Sequence, residues 1–367
     1  MDSTYNAAHE CGISYPVLLY YLFNFMKDGR RKLSQKTYAI DLLKRYLGNY
    51  SEICGENGEP DMDKLKENKI KLPSNPCDFK DPAGVDHLTE NDQDRADIGH
   101  GKPVRGAIGG LLYLARLTRT DILYATVLMA RYQTKPSMKH WAAIQRILLY
   151  VAKTLDYGLM FYPENMAKNA PNILCMSDAS NGVSADDFDA TAGYAIYFLG
   201  TSIITKSYKL RMRVQSSTEA EYIGLSTASR DVIYARNIAK ILHVETEKET
   251  PIAVDNKACI SFTMDDGFRK KYRQVAIHHH IVKDYRKEGY IVPIKINTDY
   301  NCSDILTKRV QTDKKFTFLA NGLLNSGGSV DGELQIFKHG YGMNGNLSAE
   351  EMILYQSSDL PSEGQVP

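Results

Sequence analysis

Residues 216–242 read SSTEAEYIGLSTASRDVIYARNIAKIL, and the fold turns on how this stretch is read. Tyr222, Leu225, Ala228, Val232, Ala235 and Ala239 recur at spacings of three and four. That spacing lays one apolar stripe along a helix expected from about Thr218 to Leu242. Strand signals precede it: Ile173–Ser177 is a short apolar run leading into Asp178, and Ala192–Leu199 with Ser202–Thr205 predicts a hairpin about Gly200-Thr201. After the helix, Ile252–Val254 leads into Asp255. A helical stretch, a strand over Tyr290–Ile296 and a helix over Ser303–Val310 complete the pattern. Strands, a long helix, then alternating strand and helix imply an α/β unit: a mixed sheet with helices packed on it.

Working outward, the dense patterning begins at Val104. Ile108–Ala115, Ile122–Tyr132 and His140–Thr154 read as helices, the last with Trp141, the single tryptophan, near its start. Residues 51–103 are rich in Gly, Pro, Asn and acid and read as a linker or irregular region. Residues 1–50 are aromatic-rich and close on a helical stretch, Gln35–Leu47, with Ser34 as its expected N-cap. Residues 325–367 turn to Gly, Ser and scattered acid, the composition of a disordered tail. No internal repeat is visible.

The 367 residues are 43% hydrophobic and 24% charged, which fits a globular protein with room for two or three domains. The 45 Lys and Arg nearly balance the 44 Asp and Glu, so any nucleic-acid surface has to be local. The six cysteines are scattered and none shows C-x-x-C spacing; reduced thiols are expected rather than a zinc site or a disulfide framework. Tyr15–Phe25 (YPVLLYYLFNF) is too short to span a bilayer and has no basic residue before it, so it reads as a buried strand or helix. An intracellular protein, of cytoplasm or nucleus, is the expectation.

If the strands before Asp178 and Asp255 are parallel neighbours, the two carboxylates lie roughly one strand spacing, ~5 Å, apart. Such a pair calls for a proton or a cation. Divalent metal is the usual answer in phosphoryl chemistry, where two ions sit roughly 4 Å apart. Glu221 and Asp304 are expected in the first turns of their helices, where acids are favoured in any protein by the helix dipole. Taken singly, each of the four has an ordinary structural explanation.

A resemblance narrows this. Val104-Arg105-Gly106-Ala107-Ile108-Gly109-Gly110-Leu111-Leu112-Tyr113-Leu114-Ala115, followed by Thr118-Arg119-Thr120-Asp121-Ile122, opens a series of ordered blocks. His140-Trp141-Ala142-Ala143, Asp156-Tyr157-Gly158-Leu159, Ser177-Asp178-Ala179 and Thr191-Ala192-Gly193-Tyr194 follow. Ser216-Ser217-Thr218-Glu219-Ala220-Glu221-Tyr222, Asp255-Asn256 and Ser303-Asp304-Ile305-Leu306-Thr307-Lys308 close it. The series resembles the C-terminal part of copia-type LTR retrotransposon Pol polyproteins and covers a little over half the chain.

The resemblance implies a ribonuclease H-like domain at about 170–310 that hydrolyses the RNA strand of RNA–DNA hybrids. Asp178, Glu221, Asp255 and Asp304 would be its catalytic and metal-binding carboxylates, with Mg2+ or Mn2+ as cofactor. Glu221 is preferred over Glu219 because a large apolar residue follows it. Its place between the first two aspartates is the ribonuclease H order; transposases and integrases of this fold put the glutamate last. The rival expectation is a catalytically inactive, retroelement-derived protein that binds nucleic acid or another partner. Where the family commonly has K-H-I-D, this chain has Arg273-Gln274-Val275-Ala276.

Residues 104–165 would be a helical connection region, and 1–50 the end of a reverse transcriptase, since Lys32-Leu33-Ser34-Gln35-Lys36-Thr37-Tyr38 resembles that enzyme's closing segment. No aromatic-x-Asp-Asp hairpin precedes residue 32, and Ser184-Ala185-Asp186-Asp187 lacks apolar flanks. A truncated polyprotein without polymerase activity is therefore expected, and purified protein should not extend a primer. Two basic clusters could hold a hybrid's phosphates: Lys206, Lys209, Arg211 and Arg213, and Arg269, Lys270, Lys271 and Arg273. Both read equally well as solvated faces. His278-His279-His280, consecutive on a helix, cannot easily converge on one ion.

Overall fold

A computed structural model describes residues 22–25, 29–48, 50–55, 59–68, 72–77, 102–134, 136–161, 171–180, 190–211, 214, 216–264 and 276–324. The chain divides into two compact units: one takes the described residues up to Phe161 together with 309–324, the other those from 171 to 308.

The first unit is built on strands β1 (Leu22–Phe25), β2 (Arg31–Ser34) and β3 (Leu159–Phe161) and helices α1 (Lys36–Tyr46), α2 (Tyr50–Ile53), α3 (Met62–Glu67), α4 (Val104–Leu117), α5 (Leu123–Ala130) and α6 (Met138–Lys153). β2 pairs antiparallel with both β1 and β3, so residues from the 1–50 stretch and from the dense stretch after Val104 share one sheet. Ser34 ends β2 and does not cap α1; the cap position is Gln35, which makes no side-chain cap bond but accepts from the Thr118 hydroxyl at 2.8 Å. α6 starts on a reciprocal cap between Ser137 and His140, with His140 in place of the usual acid or amide. The short helices α2 and α3 lie where irregular chain was expected. Asn75, nearby, is buried and donates to the Val310 carbonyl at 3.0 Å. A further helix, Asp313–Leu324, follows Asp304 in the chain and was not foreseen from sequence.

Arg119 and Asp121 organise this unit's core. The guanidinium grips the carboxylate with two bonds, Nε–Oδ1 at 3.0 Å and Nη2–Oδ2 at 2.8 Å, and also donates to Thr154. Tyr150 donates to Asp121 Oδ2 at 2.8 Å. Both charged side chains are out of water, which is tolerable because every strong group has a fixed partner.

The second unit contains β4 (Ile173–Ser180), β5 (Thr191–Phe198), β6 (Thr201–Lys209), α7 (Ser217–Ile241), β7 (Thr250–Val254), α8 (Lys257–Met264), α9 (Ala276–Lys287) and β8 (Ile291–Lys295). Its sheet runs β6-β5-β4-β7-β8. β4, β5 and β6 form an antiparallel meander, and β7 and β8 run parallel to β4. The β5–β6 turn is Leu199-Gly200, one residue earlier than the sequence suggested. Both residues have positive φ, 50° and 82°, as a tight primed hairpin turn requires. Pro293 is accommodated because β8 is an edge strand.

α7 lies against the sheet through the expected stripe. Tyr222, Leu225, Ala228, Val232, Ala235 and Ala239 are all buried, and each larger one contributes about 1.5–3 kcal/mol. Ser216 caps the helix by accepting from the Glu219 amide at 3.3 Å. Among the described residues five cysteines are free thiols, four of them buried. Among them, too, no helix is long and apolar enough to cross a membrane.

Candidate metal centre

Cys175 pairs with Ile252 and Met176 with Ala253 across the parallel β4–β7 ladder. Continuing that register sets Asp178 beside Asp255, as the sequence implied. One detail differs: β4 does not stop at Ser177 but continues through Asp178 to Ser180, so Asp178 stands within the strand and Asp255 just beyond β7. Asp304 arrives on a 3-10 turn, Cys302–Leu306, where an α-helix was expected. The physical reason is local competition for the backbone. Asn301 Oδ1 accepts from the Ser303 amide at 3.2 Å and its hydroxyl at 2.5 Å, closing a tight side-chain turn.

Oxygens of Asp178, Asp255 and Asp304 all lie within 4.8 Å of one another. Asp178 and Asp304 are buried, while Asp255 is half-buried. Glu221 is not among these three. It begins the second turn of α7, not the first, and faces the same region: burial first, then the Asp255 and Asp178 charges, push its pKa up to about 8. Asn256 opposes this by donating to Glu221 Oε1 at 3.0 Å. Asn256 Oδ1 also accepts from the Ala258 and Cys259 amides at the start of α8, so one side chain caps a helix and steers a carboxylate. Glu221 Oε2 is buried without a hydrogen-bond partner.

Burial and the neighbouring Asp178 also raise the Asp304 pKa well above the ordinary carboxylate range. Three further groups attend the acids, two of them, Thr307 and Lys308, present in the quoted motifs but given no role there. The Thr307 hydroxyl donates to Asp178 Oδ2. Lys308 reaches Asp178 Oδ2 at 3.3 Å and Asp304 Oδ1 at 3.1 Å. Burial works against the Lys308 charge, but the two aspartates outweigh it and its pKa stands above the usual lysine range. Lys295, at the end of β8, donates to the Asp255 carbonyl and to the Ile296 carbonyl.

The 3-10 turn is secured against the sheet. The Ser180 hydroxyl donates to the Thr307 carbonyl at 2.8 Å, and Asn301 donates to the Ser177 carbonyl at 3.4 Å. Gly193 leaves room for it: a Cβ there would sit 2.7 Å from Leu306 Cβ and 3.0 Å from Leu306 O.

Of the basic residues named from sequence, Lys206 pairs with Asp231 at 2.6 Å, Lys209 is half-buried and Arg211 is exposed. Arg213, Arg269, Lys270, Lys271 and Arg273 lie outside the described residues, as do 184–187 and 325–367. His278-His279-His280 falls on α9, and the Asp178–Asp255–Asp304 group is the one potential metal cluster found among the described residues.

Three clustered carboxylates are hard oxygen donors, and a buried Glu221 oxygen beside them lacks a partner. The set fits a small divalent cation of the Mg2+ or Mn2+ kind. Numbering this unit's strands 1 to 5 along the chain, the sheet order is 3-2-1-4-5 with strand 2 antiparallel to the rest. This topology makes the unit a ribonuclease H-like fold.

No family model matches the chain. The retrovirus-related Pol polyprotein from transposon RE2 of Arabidopsis thaliana is 29% identical over 204 residues, 56% of this chain and 14% of that protein. That from transposon TNT 1-94 of Nicotiana tabacum is 26% identical over 212 residues, 58% of this chain and 16% of that protein. Secreted RxLR effector protein 161 of Plasmopara viticola is 32% identical over 132 residues, 36% of this chain and 90% of that protein. Over 56–58% of its length the chain is similar to retrovirus-related Pol polyproteins of transposons, and the match spans only 14–16% of the length of those polyproteins.

Solved structures similar to it include the N-terminal RNase H domain of Rv2228c from Mycobacterium tuberculosis. That likeness has a TM-score of 0.30 and 12% identity over 42% of this chain and 99% of that one. LC11-RNase H1 in complex with RNA/DNA hybrid gives 0.29 and 16% over 37% and 93%. At such scores the fold rests on strand order and direction, not on superposition.

Proposed function

We propose that the unit at about 170–310 hydrolyses the RNA strand of RNA–DNA hybrids with a bound Mg2+ or Mn2+, and that residues 1–50 and 104–165 are reverse-transcriptase and connection segments of the same copia-type polyprotein. One observation carries the enzymatic reading: oxygens of Asp178, Asp255 and Asp304, brought in by three separate elements, converge within 4.8 Å. When bound, the ion supplies charge that lowers the pKa of an attacking water and offsets that developing on a phosphodiester.

The chain's own residues do the rest. Asp178, Asp255 and Asp304 hold the ion. Thr307 fixes the Asp178 carboxylate and Asn256 fixes Glu221 Oε1, while Oε2 stays without a partner. Glu221, with that oxygen buried, is the acid available to position the attacking water or take a proton from it. Arg211, exposed after β6, is a described member of the basic clusters that a phosphate backbone could reach.

The test is a labelled RNA–DNA hybrid incubated with the purified chain and Mg2+, beside Asp178→Asn. Cleavage of the RNA strand is expected, reduced at least about a thousandfold in the variant, on the order of 4 kcal/mol of barrier. Hybrid that is bound yet never cut would instead favour a catalytically silent nucleic-acid-binding protein.

A further inference from the structure

The ammonium of Lys308 lies where a cation would be expected. It contacts Asp178 Oδ2 and Asp304 Oδ1, oxygens of two of the three clustered aspartates. Those carboxylates are 2–3% exposed, whereas the Lys308 side chain is 35% exposed. The lysine therefore comes onto the acids from the solvent side. It also springs from the same turn as Asp304, four residues on, so its position is fixed by the element that delivers the acid.

We propose that Lys308 is the site's resident counter-cation, holding the carboxylate oxygens that a divalent ion takes, so that metal enters by displacing this ammonium. The inference rests on the metal-dependent reading above and adds a device that sets how readily the site loads. A lysine suits the role: it is a point charge on a flexible four-carbon stem, able to leave without disturbing the backbone. Thr307 continues to hold Asp178 when it leaves, so the acids keep their places. Lys295 cannot substitute, because it is committed to backbone carbonyls. One ammonium against three carboxylates also leaves the cluster net negative, and so still attractive to a stronger cation.

The experiment is calorimetric titration of Mn2+ into the metal-stripped full chain, without nucleic acid, for wild type, Lys308→Met and Asp304→Asn. Lys308→Met is expected to bind Mn2+ about tenfold more tightly than wild type, and to melt at lower temperature when metal-free. Asp304→Asn should bind more weakly than both. If wild type binds and Lys308→Met binds equally or less tightly, the counter-cation role is overturned while the nuclease reading stands. If neither binds, both fall.

Acylation of wild-type Lys308 by an amine-reactive acetyl ester, followed by mass spectrometry, decides the matter should the variant not fold. Labelling is expected to rise several-fold at saturating Ca2+, and unchanged or reduced labelling overturns the proposal.

Discussion

Two carboxylate sites in this chain solve the same problem in opposite ways. In the first unit Asp121 is taken out of water and answered by a bidentate Arg119, a tyrosine hydroxyl and a locked geometry. In the second, Asp178 and Asp304 are almost as deeply buried, yet are answered by a lysine that is one-third exposed. Arginine's planar fork matches a carboxylate and stays; lysine's point charge can go. The first arrangement buries charge to hold a core together. The second keeps charge in reserve.

The comparison breaks most visibly at Arg119. Arg119→Met strands Asp121 in the core and should cost about 3–5 kcal/mol of unfolding free energy, read by urea denaturation. Joint replacement of Arg119 and Asp121 by apolar residues should recover much of that loss, whereas equal instability of the double variant would show that the pair is not the unit of cost.

A smaller effect belongs to pH. The folded pKa of Glu221, about 8, lies above its unfolded value, so folding favours the protonated form. Its contribution is fully present below the unfolded pKa and is lost as pH rises through the folded one. Metal-free protein should therefore lose on the order of 1–3 kcal/mol between pH 5 and 8, and Glu221→Gln should flatten that slope. A wild-type melting temperature that does not fall across this window would contradict the assignment.

The least effect is expected from Asn256→Ala, which removes the cap of α8 and the bond to Glu221 Oε1. About 1 kcal/mol of stability should go, seen as a modest drop in melting temperature. A steeper pH dependence should accompany it, since the donor that lowers the Glu221 pKa is lost.

Much of the second unit was legible in sequence because period and order carry it. The α7 stripe and the apolar runs ahead of Asp178 and Asp255 specify a helix on a sheet. What stayed hidden was settled by side chains competing with backbone, or by distant packing. Asn301 and Ser303 tighten the turn carrying Asp304 beyond what periodicity can signal. Ser34 looks like a cap but is claimed by strand pairing. Leu199 adopts positive φ although nothing in its chemistry favours it; the hairpin register imposes it. Lys308 and Thr307 stood in plain view within a motif, but only their distances to Asp178 give them a task.

Gly193 has a bearing on how relatives of this chain are sorted. The acids are the obvious markers of an intact copy, yet the turn bearing Asp304, Thr307 and Lys308 settles against the sheet only where residue 193 has no side chain. Replacing this glycine by even alanine would lift three site groups at once while sparing every carboxylate. A comparison of relatives that scores acids alone would pass over such a change; the informative marker is a hydrogen atom.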